Sequence, residues 1–227
     1  MAGEDRAGMN EVKARGPNRP LHDQQDEFFR FSQFINSEVI LRCHYNTMLT
    51  FEKFVHDEVA AGRMEQGLGR ASVQEHLNQM CKATFLCLFS HAEEELENMA
   101  RARFRSELEQ VRDYASNSSV ERFKCVIRDG FGIDLMTCTQ WKVLKDAATV
   151  RNALLHCGGV IHHLPKSKKR KVEEVLRTRT DVLLRSGRLY VTEAWIDHVA
   201  KAFQELHDRM VDSLVEQAKQ GDPRPPV

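Results

Sequence analysis

The chain has 227 residues, 41% of them hydrophobic and 29% charged, and 33 basic side chains balance 33 acidic ones to a formal net charge of zero. That length holds one large domain, and the balance excludes a globally basic nucleic-acid binder, so any electrostatic footprint must be local. Only six prolines and 12 glycines favour helices over a turn-rich β fold.

The polar N-terminus does not resemble a signal peptide, and no apolar run approaches transmembrane length. The six cysteines, at 43, 81, 87, 125, 138 and 157, include no Cys-x-x-Cys pair. A cytoplasmic protein with reduced thiols and no membrane partner is the expectation.

Residues 1–22, with Gly16, Pro17 and Pro20, read as a disordered arm. From Asp23 to Ala61 there is no Pro or Gly, and Phe28, Phe31, Ile35, Val39, Met48, Phe51, Val55 and Val59 give a long helical pattern of core residues. Residues 62–69 read as a loop, with Arg70 beside it. Ser72 is a candidate N-cap with Glu75 at the capping-box position, and the helix then runs to Phe104. Its run Glu93-Glu94-Glu95-Leu96-Glu97 reads as a solvated face. Cys81, Cys87 and His91 lie at angles that do not converge on a metal. A short helix over 106–114, a break at 115–119, and a helix from Val120 ended by Gly130 complete this half.

Residues 141–157 hold the most informative segment. Val143, Ala147, Val150, Leu154 and Cys157 recur at helical spacing, and Leu144, Ala148 and Leu155 widen the face. Gly158 and Gly159 supply the stop. Arg151 sits on the margin of the apolar face, where a cation must snorkel, pair, or face a cleft or partner. Asn152 and His156 share a face at i, i+4, whereas Arg151 and His156 are about 140° apart. His156 falls in the last turn, where the helix dipole favours a cation. Arginine forks onto phosphate oxygens and histidine moves protons near neutrality, so the pair suits phosphodiester chemistry. The spacing also occurs at Arg15–His22 and Arg70–His76, but only Arg151 lies in a helical pattern with an amide beside it and glycines after it.

Downstream, Lys166, Lys168, Lys169, Arg170 and Lys171 form a basic segment. It reads equally as a mobile, solvated loop or as an RNA-backbone contact, and it also resembles a short nuclear-import signal. Val182 to Val191 reads as a hairpin around Ser186-Gly187, and Thr192 can cap a last helix striped by Trp195, Val199, Phe203, Leu206, Met210 and Leu214. Residues 219–227 read as a flexible tail. The expected fold is all-α: a helical bundle over 23–218 with long N-terminal helices and a small β-hairpin before the last helix.

Arg151-Asn152-x3-His156, ending a helix in an all-helical domain, resembles the signature of the HEPN superfamily, in particular its RiboL-PSP-type members. The resemblance implies a metal-independent endoribonuclease that uses no cofactor, cleaves by 2′-hydroxyl transesterification, and builds its cleft from two motifs of a homodimer. In these terms Arg151 binds the scissile phosphate, His156 transfers protons, and Asn152 orients His156 or contacts RNA. In bacteria it implies stress response or antiviral (phage) defence, with an inhibitor or antitoxin protein as a further partner. The alternative is a non-catalytic dimerisation or RNA- or protein-binding module. A metalloenzyme built on His156, His162 and His163 ranks last, because the adjacent pair does not easily aim both rings at one ion.

Overall fold

The computed structural model describes residues 21–104 and 123–219, with the side chains of the first helix described from Ser37 onward. Of the expected arm (1–22) residues 1–20, and of the expected tail (219–227) residues 220–227, lie outside the described residues, as do the elements over 106–119; Leu21, His22 and Lys219 are helical. Helix α1 (Leu21–Ala60) and helix α2 (Gln66–Phe104) form an antiparallel hairpin joined by a turn at 61–65. A short helix α3 (Phe123–Cys125) continues as a π-helical turn, Val126–Gly130. Helix α4 (Thr139–Cys157), a 3-10 turn (Ile161–His163), helix α5 (Lys166–Thr178), strands β1 (Val182–Arg185) and β2 (Arg188–Val191), and helix α6 (Glu193–Lys219) follow. Among the described residues, six helices and one two-stranded sheet make an all-α protein, as expected. Among the described residues no helix is long and apolar enough to cross a membrane.

The core lies between α2, α4 and α6. Phe85, Leu88, Phe89 and Met99 of α2 meet Leu144, Ala147 and Val150 of α4 and Trp195, Val199, Phe203, Leu206 and Met210 of α6, all essentially excluded from solvent. The stripes expected on α4 and α6 are the buried ones up to their C-terminal members, Cys157 and Leu214, which are half-buried. Leu155 departs from that pattern: it is 50% exposed.

Helix α2 begins earlier than its sequence suggests. Gly67, Gly69, Arg70 and Ser72 are helical, so the expected loop shrinks to 61–65 and Ser72 is not a cap. Glycine ordinarily costs a helix about 1 kcal/mol. At Gly69 the missing side chain is what lets the helices close: a Cβ there would stand 2.7 Å from Val59 Cγ2 and 3.3 Å from Val55 Cγ1. On α1 only Met48 and Val55 of the expected core residues are buried; Phe51 and Val59 are half-buried and Val39 is exposed, because α1 packs along one flank of the bundle. Phe28, Phe31 and Ile35 fall among side chains that are not described.

The second half follows its turn chemistry. Ser186 (φ 48°) and Gly187 (φ 77°) make the two-residue turn that right-twisted strands require, with Val182 opposite Val191 and Arg185 opposite Arg188. Thr192 Oγ1 accepts from the Trp195 N–H at 3.2 Å and donates to the Asp181 carbonyl at 2.6 Å, so one hydroxyl caps α6 and ties it to the hairpin.

Candidate functional site

The end of α4 is shaped by its two glycines. Gly158 adopts the left-handed conformation (φ 58°) and its N–H returns to the Ala153 carbonyl, joined there by the Gly159 N–H at 3.1 Å. Gly159 (φ 84°) then comes against the hairpin: its carbonyl accepts the Leu189 N–H at 2.9 Å, and a Cβ would stand 3.3 Å from the Leu189 carbonyl. The expected stop is therefore also a docking point that fixes the last turn of α4 on β2.

That turn presents His156 to solvent. Among the described residues the imidazole makes no hydrogen bond or ion pair. Arg151 behaves differently. Its guanidinium donates from Nη1 to Asn152 Oδ1 at 3.0 Å and from Nη2 to Glu93 Oε2 of α2 at 3.4 Å, and its Cζ lies 5.9 Å from the centre of the Phe89 ring. Phe89 and Glu93 are one turn apart on α2, so a ring and a carboxylate hold the cation together. The Arg151 side chain is 24% exposed and that of Glu93 13%. The structure thus joins Arg151 with Asn152 and shows no hydrogen bond from His156 to either. Asn152 positions Arg151 rather than His156.

Glu93 is the residue that sequence reasoning missed. The run at 93–97 is not a solvated face: Glu94 is its exposed member, Glu93 is mostly covered, and Glu95 is buried, its carboxyl pushed up by desolvation. The available signal was Arg151 itself, a cation on an apolar margin that needed a partner.

The basic segment is a helix, not a mobile loop. No Pro or Gly follows Pro165 until the hairpin turn, and Val172 and Val175 are buried with Leu176 packed beside them. Lys166, Lys168, Arg170 and Lys171 are exposed, and Lys169 lies 3.8 Å from Glu173. These cations crowd the N-terminal turns of α5, where the helix dipole is also positive. Such an arrangement raises the local positive potential and suits a polyanion. Helix α5 packs on α4, and Arg179 just beyond it donates to Asp146 Oδ2 of α4 from Nε at 2.9 Å and Nη2 at 2.7 Å. His162 and His163 are exposed on the turn between α4 and α5, with their rings packed edge to face. No protein-family model, curated protein or solved structure matched this chain.

Proposed function

We propose that the protein is a metal-independent endoribonuclease whose site is completed by a second copy of the chain, with Arg151, Asn152 and His156 as its working residues and the basic turns of α5 as an RNA track. The observation that carries this reading is the contrast at the end of α4: a solvent-exposed His156 on an anchored helix end, one turn beyond a positioned guanidinium. RNA supplies its own 2′-hydroxyl nucleophile, so the protein needs only proton transfer and phosphate charge stabilisation. His156 provides the first. Arg151 retains donors beyond those given to Asn152 and Glu93, and provides the second. At i, i+5 on α4 the two lie about 140° apart around the helix, so a symmetric pairing that sets His156 of one copy against Arg151 of the other is the arrangement that unites them. The exposed Leu155 beside His156 offers apolar surface for that contact.

One observation favours a second reading. The Arg151–Glu93 pair offsets the charge that a phosphate would seek, as expected of a non-catalytic dimerisation or RNA- or protein-binding module. Cleavage of structured and single-stranded RNA without added divalent cation decides between them. The nuclease reading requires 2′,3′-cyclic phosphate ends and at least a hundredfold loss in folded Arg151→Ala and His156→Ala. Unchanged RNA under those conditions leaves the binding module.

A further inference from the structure

A second cluster lies away from the α4 motif, where α1, α2 and the start of α6 meet. His44 of α1 is 2% exposed and Cys81 of α2 is 2% exposed. Glu193, the first residue of α6, reaches over them, and one ligating atom from each lies within 4.8 Å of the other two. The three positions are far apart in sequence, so no spacing announces them.

The histidine is oriented. His44 Nδ1 stands 2.9 Å from the hydroxyl of buried Thr84. In the tautomer that donates from Nδ1, the lone pair is on Nε2, which points at Glu193. Nε2 is buried and has no hydrogen-bond partner among the described residues; Glu193 Oε1, at 3.6 Å, is too distant to be one. A buried polar atom left in this state costs about 1–3 kcal/mol. A metal-ligating imidazole has its other nitrogen fixed by a hydrogen bond, commonly to a carboxylate, carbonyl or water, and here the Thr84 hydroxyl takes that place.

We propose that His44 Nε2, Cys81 Sγ and Glu193 Oε1 bind a zinc ion. Two ligands about 2.0–2.1 Å from a tetrahedral ion stand about 3.4 Å apart, close to the observed 3.6 Å between Nε2 and Oε1. A thiolate and an imidazole select zinc over magnesium or calcium. Binding forms three metal–ligand bonds and releases the Cys81 thiol proton to solvent. The thiolate and carboxylate then neutralise the ion, so no net charge is buried. The Glu193 side chain is 45% exposed, and a water would complete the four ligands. The neighbouring Tyr45 hydroxyl donates to Asp197 at 3.0 Å and already ties α1 to α6 beside the cluster. The ion would lock the first helix to the bundle. This assignment is independent of the chemistry proposed for Arg151 and His156.

Cobalt is the probe. Full-length protein is treated with chelator, shown by circular dichroism to remain folded, and titrated with Co²⁺. One equivalent per chain should bind with a thiolate-to-cobalt charge-transfer band, raise the melting temperature, and be displaced by Zn²⁺. The band should vanish in Cys81→Ser and persist in Cys87→Ser. Glu193→Ala, at the exposed rim, should weaken binding about tenfold or more while leaving the fold intact. This variant decides the matter if Cys81→Ser fails to fold. Absence of the band in folded parent protein, its persistence in Cys81→Ser, its dependence on Cys87, or unchanged affinity in Glu193→Ala would each overturn the assignment.

Discussion

Arg151 of α4 and Glu93 of α2 face each other at 3.4 Å, both mostly covered by protein, with Asn152 bound to the same guanidinium. The pair couples the motif helix to the core helix and, in the proposed nuclease, would set how much of the Arg151 charge a phosphate meets. Glu93→Gln should therefore do two things. It should lower stability by about 1–2 kcal/mol, because Arg151 is left partly buried without its counter-charge. It should also tighten RNA binding at a fixed salt concentration. Urea titration reads the first effect and fluorescence anisotropy the second; an unchanged denaturation midpoint would show that the pair contributes nothing to the fold.

Arg179 lies across Asp146 with two hydrogen bonds, and its Cζ is 5.6 Å from the centre of the Trp195 ring. Both side chains of the ion pair are less than one-fifth exposed. Asp146→Ala strands the guanidinium between α4 and α6 and should cost about 3 kcal/mol. The double variant Asp146→Ala/Arg179→Met, which removes both charges, should recover part of that loss. A double-mutant cycle by denaturant unfolding checks it.

Two glycines at the start of α2 should respond with opposite sign. At Gly67 a Cβ meets only Glu65 Oε1 at 3.7 Å, so Gly67→Ala should stabilise by about 0.5 kcal/mol through the unfolded chain. At Gly69 the same change drives a methyl into Val59 and Val55. The helix gains about 1 kcal/mol, but overpacking costs about 1–3 kcal/mol, and the net should be destabilising. Melting temperatures of the two variants, measured side by side, test the ordering.

Burial of Glu95 raises its carboxyl above the ordinary range, with desolvation outweighing the favourable His91 and Asn98 contacts. The folded state therefore holds this proton at pH values where the unfolded chain has lost it. Stability attributable to Glu95 is full below the unfolded pKa and is lost as pH rises through the folded one. Glu95→Gln should stabilise the protein at pH 7, and the advantage should disappear toward pH 4. An equal advantage at both values would show that the carboxylate is ionised without penalty.

The parts legible in the sequence are those governed by local chemistry. Ser186-Gly187 specifies a tight hairpin, Thr192 a cap, Gly158-Gly159 a helix end, and the stripe from Trp195 to Met210 a buried face. What escaped was set by neighbours distant in the chain. Helix α5 was hidden because its basic run outweighs Val172 and Val175 in any local reading. Helix α2 runs through Gly67 and Gly69 because α1 packs closely at Gly69. Glu93 and Glu95 look solvated in sequence, yet Glu93 pairs with Arg151 of α4 and Glu95 is buried in the fold. Of the candidate site, the helix that carries Arg151, Asn152 and His156 and its glycine end were readable; the Glu93 clamp on Arg151 depended on the fold.

The most direct test of a shared ribonuclease site is to mix the two single variants. Arg151→Ala retains His156, and His156→Ala retains Arg151, so a mixed dimer holds one complete pair across its interface. Neither variant alone should cleave RNA, and the refolded mixture should recover a substantial fraction of parental activity, with 2′,3′-cyclic phosphate ends. An inactive mixture, from variants shown to exchange subunits and a parent that cleaves, would contradict a site shared between copies. A folded parent that cleaves no RNA would contradict the nuclease itself.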